Sequence, residues 1–153
     1  QDNVRVNSLS AQSGDLDLLA VTAVMNSSLF SALARAKAGL SDSGWRQFNR
    51  QFAELVPFPF TALKTTTAAT PLSRLAARIA DHQNQFRKTT NEGERQGVRG
   101  TLAALWTELD ERVEKLYGLN VDQRKVIARY PRKVDRVELP LRAIRTEVDE
   151  EEI

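Results

Sequence analysis

The stretch Leu102-Ala103-Ala104-Leu105-Trp106-Thr107-Glu108-Leu109-Asp110-Glu111-Arg112-Val113-Glu114-Lys115-Leu116-Tyr117-Gly118 decides how this chain reads. Leu102, Leu105, Trp106, Leu109, Val113, Leu116 and Tyr117 return at steps of three and four, which places them on one face of an α-helix. Gly118 follows at once, and glycine ends helices because it tolerates the left-handed conformation. Working back, Leu72, Leu75, Ile79, His82 and Phe86 show the same spacing. They follow Thr70-Pro71, which puts proline at the first helical position, where its missing N–H is no loss. Residues 91–100 hold glycines at 93, 97 and 100 and read as a connector. Two apolar seams joined by a short turn predict an antiparallel, coiled-coil-like helical hairpin. Asn120 with Gln123 three residues on predicts a capping box and a last short helix to about Tyr130, stopped by Pro131.

Toward the N-terminus the signals are shorter. Val4-Arg5-Val6 reads as a short strand. Asp15 is a candidate cap for a helix to about Met25, with Leu18, Leu19, Thr22 and Met25 on one face. Asn26-Ser27-Ser28 is a second capping signal, for a helix through Leu29, Phe30, Leu33 and Ala34 that ends at Gly39. Ser41-Asp42-Ser43-Gly44 reads as a turn. Trp45, Phe48, Phe52 and Leu55 then recur at helical spacing, and the prolines of Val56-Pro57-Phe58-Pro59-Phe60 force an extended segment.

The expected fold class is therefore mainly α: a helical subdomain followed by the helical hairpin, with minor β structure at the N-terminus and near residues 134–145. The expected organisation is a first unit over 1–60, a linker over 61–70, the hairpin and short helix over 71–130, and an arm with an acidic, disordered tail over 131–153. Residues 134–145 are readable either as a strand or as an arm packing back.

Composition narrows the function classes. The 153 residues include no cysteine, which removes disulfides, thiolate metal sites and thiol nucleophiles and fits a reducing compartment, here expected to be the cytoplasm. No apolar run is long enough to span a bilayer. The opening Gln1-Asp2-Asn3 suggests a piece of a longer protein. The net charge is +2, but residues 147–153 hold five of the 20 acidic residues, so residues 1–146 carry 22 bases against 15 acids. A basic body with an acidic tail reads either as a soluble domain with a frayed tail or as a surface for a polyanionic partner.

No catalytic constellation emerges. A phosphate-cradling glycine loop after a strand is missing. The single histidine, His82, lies on the apolar seam and reads as a core histidine. Asp110 and Glu111 lie beside Arg112 and Lys115 and read as a solvated, ion-paired helix face. Ser27 and Ser28 are explained by capping. Arg46, Asn49 and Arg50 are interleaved with the aromatics of the 45–55 helix and would share its exposed face. Arginine and asparagine are side chains that make bidentate contacts to bases and phosphates. Arg95 and Arg99, on the glycine-rich connector, are candidates for phosphate contacts from a flexible hairpin tip.

Three pieces, in this order, carry a resemblance. They are Leu18-Leu19-Ala20-Val21-Thr22-Ala23-Val24-Met25-Asn26-Ser27-Ser28-Leu29-Phe30, then Arg46-Gln47-Phe48-Asn49-Arg50-Gln51-Phe52-Ala53-Glu54-Leu55-Val56-Pro57-Phe58-Pro59, then Leu109-Asp110-Glu111-Arg112-Val113-Glu114-Lys115-Leu116-Tyr117-Gly118-Leu119. Together they resemble the C-terminal, target-recognition region of bacterial adenine-specific DNA methyltransferases and of fused type II restriction–modification enzymes, over about residues 16–130. Val56-Pro57-Phe58-Pro59 departs slightly from the family's more usual Leu-Pro-Ile-Pro.

The resemblance implies a role in recognising double-stranded DNA, beside an N-terminal methyltransferase domain of the same protein that binds S-adenosylmethionine. The family's catalytic Asn/Asp-Pro-Pro-Tyr/Phe element has no counterpart here, since no Pro-Pro pair occurs. The expectation is thus a chain that is not an enzyme by itself and holds no cofactor or metal. The rival expectation is a helical interaction module that docks a partner helix or forms a homodimer.

Overall fold

A computed structural model describes residues 16–37, 39–40, 46–47, 54–129 and 136–137. These residues are mainly helical. The elements are α1 (Leu18–Met25), α2 (Ser28–Lys37), β1 (Gly39–Leu40), β2 (Arg46–Gln47), α3 (Phe60–Leu63), α4 (Thr66–Lys88), α5 (Glu92–Leu116) and α6 (Val121–Ala128).

The seam residues behave as their spacing demands. Leu72, Leu75, Ile79 and Phe86 of α4 and Leu102, Leu105, Trp106, Leu109 and Val113 of α5 are all buried in one cluster. Thr89, Thr90 and Asn91 alone connect the two helices, which pack against each other. The Asn91 side chain accepts from Glu94 N at 3.1 Å, and Glu92 and Glu94 place negative charge on the first turn, where the helix dipole favours it. These signals outweigh the three glycines, so the expected connector over 91–100 is instead the first two and a half turns of α5.

Three further expectations are corrected. The linker over 61–70 is helical: α3 occupies part of it, and α4 begins at Thr66, with Pro71 inside the helix rather than at its start. Pro71 removes one backbone hydrogen bond, but Ala69 and Leu72 on either side of it are buried, and that packing holds the turn. The core position of α4 expected for His82 belongs to Gln83, which is 2 % exposed, while His82 lies half-buried with Nδ1 2.8 Å from Arg78 O. The cap of α1 is Asp17, not Asp15: its Oδ1 accepts from Leu19 N at 2.9 Å and Ala20 N at 3.3 Å, and its Oδ2 accepts from Ser73 Oγ of α4. Leu18 and Leu19 are accordingly exposed, and the face that α1 buries is Ala20, Val21, Ala23 and Val24, packed on α4.

The first unit therefore shares a core with the hairpin, since Ala20 to Leu29 and Leu63 to Val113 contribute to one cluster. α4 lies between α1 and α5. α2 turns away from α1 by 67° at Asn26-Ser27 and packs against α5 and α6. Ser27 makes this bend: its Oγ donates to Val24 O at 2.7 Å and accepts from Phe30 N at 3.1 Å, so the fully buried hydroxyl ends one helix and starts the next. No single helix among the described residues is long and apolar enough to cross a membrane.

β structure occurs where a helix was expected. Gly39 pairs with Gln47 and Leu40 with Arg46, antiparallel, on either side of the predicted turn. The predicted turn lies between the two short strands in sequence, and pairing with β1 takes Arg46 and Gln47 out of the helix expected from residue 45. Val4–Val6, Asn49, Arg50, the aromatics Trp45, Phe48 and Phe52, and the acidic tail lie outside the described residues. Of residues 134–145, Arg136 and Val137 are described: they form a turn, with Val137 in the core cluster.

Candidate functional site

The three pieces of sequence that carry the resemblance meet in space, each touching the other two. Ser28, from the first, donates to Asp110, from the third, through both its backbone N (2.8 Å, to Oδ1) and its hydroxyl (2.7 Å, to Oδ2), across 82 residues of chain. Phe30, from the first, packs edge-on against Phe58, from the second, with ring centroids 6.0 Å apart. Tyr117, from the third, donates its hydroxyl to Pro57 O of the second at 2.8 Å.

Asp110 is the hub. It sits at the side of the buried α5 seam, one turn beyond Trp106, and its side chain is 18 % exposed. Arg136 approaches from beyond α6 and donates to both carboxylate oxygens, at 3.0 and 2.8 Å. The same guanidinium lies 4.7 Å over the Trp106 ring, and Arg136 O accepts from the buried Gln83 side chain at 2.8 Å. A bidentate pair with this little solvent is stronger than a surface ion pair, and each partner left alone would be a costly, poorly solvated charge. The reading of Asp110 as part of a solvated face with Arg112 is thus corrected: Arg112 pairs with Glu108 at 2.9 Å, and Asp110 turns inward. Trp106 Nε1 is buried and has no hydrogen-bond partner among the described residues.

Below the hub, Glu114 pairs loosely with Arg124 of α6 at 3.5 Å. Burial raises its carboxyl above the ordinary value; Arg124 opposes this, and the neighbouring carboxylates of Asp110 and Glu111 add to it. Burial likewise pushes the Tyr117 hydroxyl up to about 12. Gly118 has φ +66°, with its N–H on Lys115 O (3.0 Å) and Leu119 N–H on Glu114 O (3.2 Å). This left-handed stop satisfies the last carbonyls of α5 and aims the chain at the capping box of Asn120 and Gln123 that starts α6.

The five predicted contact residues do not form one site among the described residues. Arg46 is on β2, paired with Leu40, and not on a helix face; Asn49 and Arg50 lie outside the described residues. Arg95 and Arg99 are on the first turns of α5 and not on a flexible tip. The Arg95 guanidinium lies 4.4 Å over the Phe86 ring, closing the end of the hairpin, and Arg99 is half-buried and engaged. Other exposed bases occupy the outer face and end of α4: Arg74, Arg78, Arg87 and Lys88.

Sequence reasoning passed over Ser28, Trp106, Asp110, Tyr117 and Arg136 as a group. The one available signal was that Asp110 follows Trp106 by four residues on a buried seam, where an acid needs a partner from outside its own helix. Among the described residues, no cluster of three or more His, Asp or Glu side chains is placed to hold a metal ion. No family model, curated protein or solved structure matches this chain.

Proposed function

We propose that this chain is a target-recognition, DNA-binding part of an adenine-specific DNA methyltransferase of a restriction–modification system. In this reading methyl transfer and S-adenosylmethionine belong to another domain of the same protein, and the chain itself recognises rather than reacts. The observation that carries the reading is the mutual contact of the three resembling pieces through Ser28–Asp110, Phe30–Phe58 and Tyr117–Pro57. These contacts put the described parts of the three pieces in one packed unit, which supports reading them together. The excess of 22 bases over 15 acids in residues 1–146 supports a polyanionic partner. Arg46, Asn49 and Arg50 are the proposed reading positions. Arg95 and Arg99 are the secondary phosphate contacts.

The test is fluorescence anisotropy of a labelled DNA duplex titrated with the chain across a salt series. Binding that weakens steeply with salt, and weakens further in the Arg46→Ala, Arg50→Ala double variant, is the expected result. No binding at low salt, together with a stable dimer by sedimentation, would replace this reading with that of a helical interaction module.

A further inference from the structure

We propose that Asp110 is a positioning residue for DNA recognition: by gripping the first turn of α2 it sets where the β1–β2 pair, and with it position 46, stands relative to the hairpin. The inference rests on the DNA-binding reading above. α2 ends at Lys37 and β1 begins at Gly39, so one residue separates the helix from the strand that pairs with Arg46. β1 thus starts within one residue of the end of α2. α2 is free of α1's direction because of the 67° bend at Ser27.

α2 buries Leu29, Phe30 and Ala32, and Asp110 anchors its first turn: its two oxygens take the N–H and the hydroxyl of Ser28 while Arg136 holds the same two oxygens from the other side. A carboxylate at a helix N-terminus is favoured by the dipole, and the bidentate arginine prevents it from rotating. Asp110 thus couples three segments without facing a ligand itself.

The test uses a sign that simple electrostatics cannot mimic. Asp110→Asn removes a negative charge, so on charge alone it should tighten binding to DNA. The positioning role requires the opposite. The full chain has no cysteine, so spin labels can be placed at Ala36→Cys and Thr107→Cys, both exposed. Binding of a fluorescein-labelled DNA duplex and the label-to-label distance are measured for the parent chain, Asp110→Asn and Ser28→Ala.

The expected result is roughly fivefold weaker binding by Asp110→Asn, with a broadened or shifted α2–α5 distance. Ser28→Ala, which keeps the Asp110–Arg136 pair and all charges, moves both readouts the same way by less, and it carries the comparison if Asp110→Asn does not fold. Unchanged distances with equal or tighter binding would overturn the positioning role and leave the DNA-binding reading standing. Failure of the parent chain to bind the duplex would overturn both.

Discussion

Over residues 92–101, α5 carries three glycines and buries only Val98; over residues 102–116 the same helix buries Leu102, Leu105, Trp106, Leu109 and Val113 and carries Asp110. The first half is held by its cap at Asn91, its acidic first turn and the Arg95–Phe86 stack. The second half is held by the core and by contacts with α2, Pro57 and Arg136, all distant in sequence. The two halves show that one helix can be local in origin at one end and tertiary at the other. Helical propensity is a weak term beside burial of an apolar face, so the end with the better packing sets where the chain is rigid. The resembling sequence pieces gather at that end.

The contrast can be broken most severely through the core. Leu109→Ala, at a fully buried position, should cost about 2–5 kcal/mol of unfolding free energy, with Val98→Ala well below it. Equal losses in urea unfolding would mean the two halves are equally packed. Trp106→Phe is the finer probe at the same end. It keeps the ring under Arg136 and deletes the unpartnered Nε1 donor, so it should change stability by less than about 1.5 kcal/mol despite full burial of the site.

Glycine substitutions sharpen the comparison by sign. Gly118→Ala forces a Cβ into the left-handed stop and should destabilise by roughly 1–2 kcal/mol. Gly97→Ala and Gly100→Ala lie on an open helix face, with nothing within 4 Å of an added Cβ, and should each stabilise by about 0.5–1 kcal/mol. Thermal unfolding followed by circular dichroism reads both; a loss at Gly97 or Gly100 would mean that this face is covered.

The last test is alkaline. Burial pushes the Tyr117 hydroxyl up from its ordinary 10.0 to about 12. Above pH 10 the unfolded chain releases this proton while the folded chain keeps it, so stability falls as pH rises toward 12. Tyr117→Phe should flatten that fall relative to the parent chain, read as urea midpoints over this range. Parallel pH curves for the two proteins would show that the Tyr117 hydroxyl is solvated in the folded chain.

Much of the helical frame was legible because its signals are local. The seam from Leu102 to Val113, the Ser27 start of α2, the Gly118 stop and the Asn120–Gln123 capping box each declare themselves within a few residues. The misreadings were places where distant packing overrode a local rule. Glycines at 93, 97 and 100 suggested a connector, yet a cap upstream and a packed seam downstream pull them into the helix. Pro71 suggested a beginning, yet Ala69 is buried ahead of it. The hub was nearly illegible: nothing near Asp110 announces Ser28 or Arg136, and its neighbours Glu111 and Arg112 belong to an ordinary charged face. The predicted reading residues were drawn from a helix over 45–55 that β2 interrupts at Arg46. Arg46 is paired with Leu40 on β2, and Asn49 and Arg50 lie outside the described residues.

The central claim is that pieces of chain far apart in sequence are locked at Asp110, and a double-mutant cycle between Ser28 and Asp110 tests it most directly. Unfolding free energies of the parent chain, Ser28→Ala, Asp110→Ala and the double variant yield the coupling. The contacts described here predict a favourable coupling of about 1 kcal/mol or more, since a hydrogen bond to a carboxylate is worth more than a neutral one. Effects that add to within about 0.3 kcal/mol would contradict the lock.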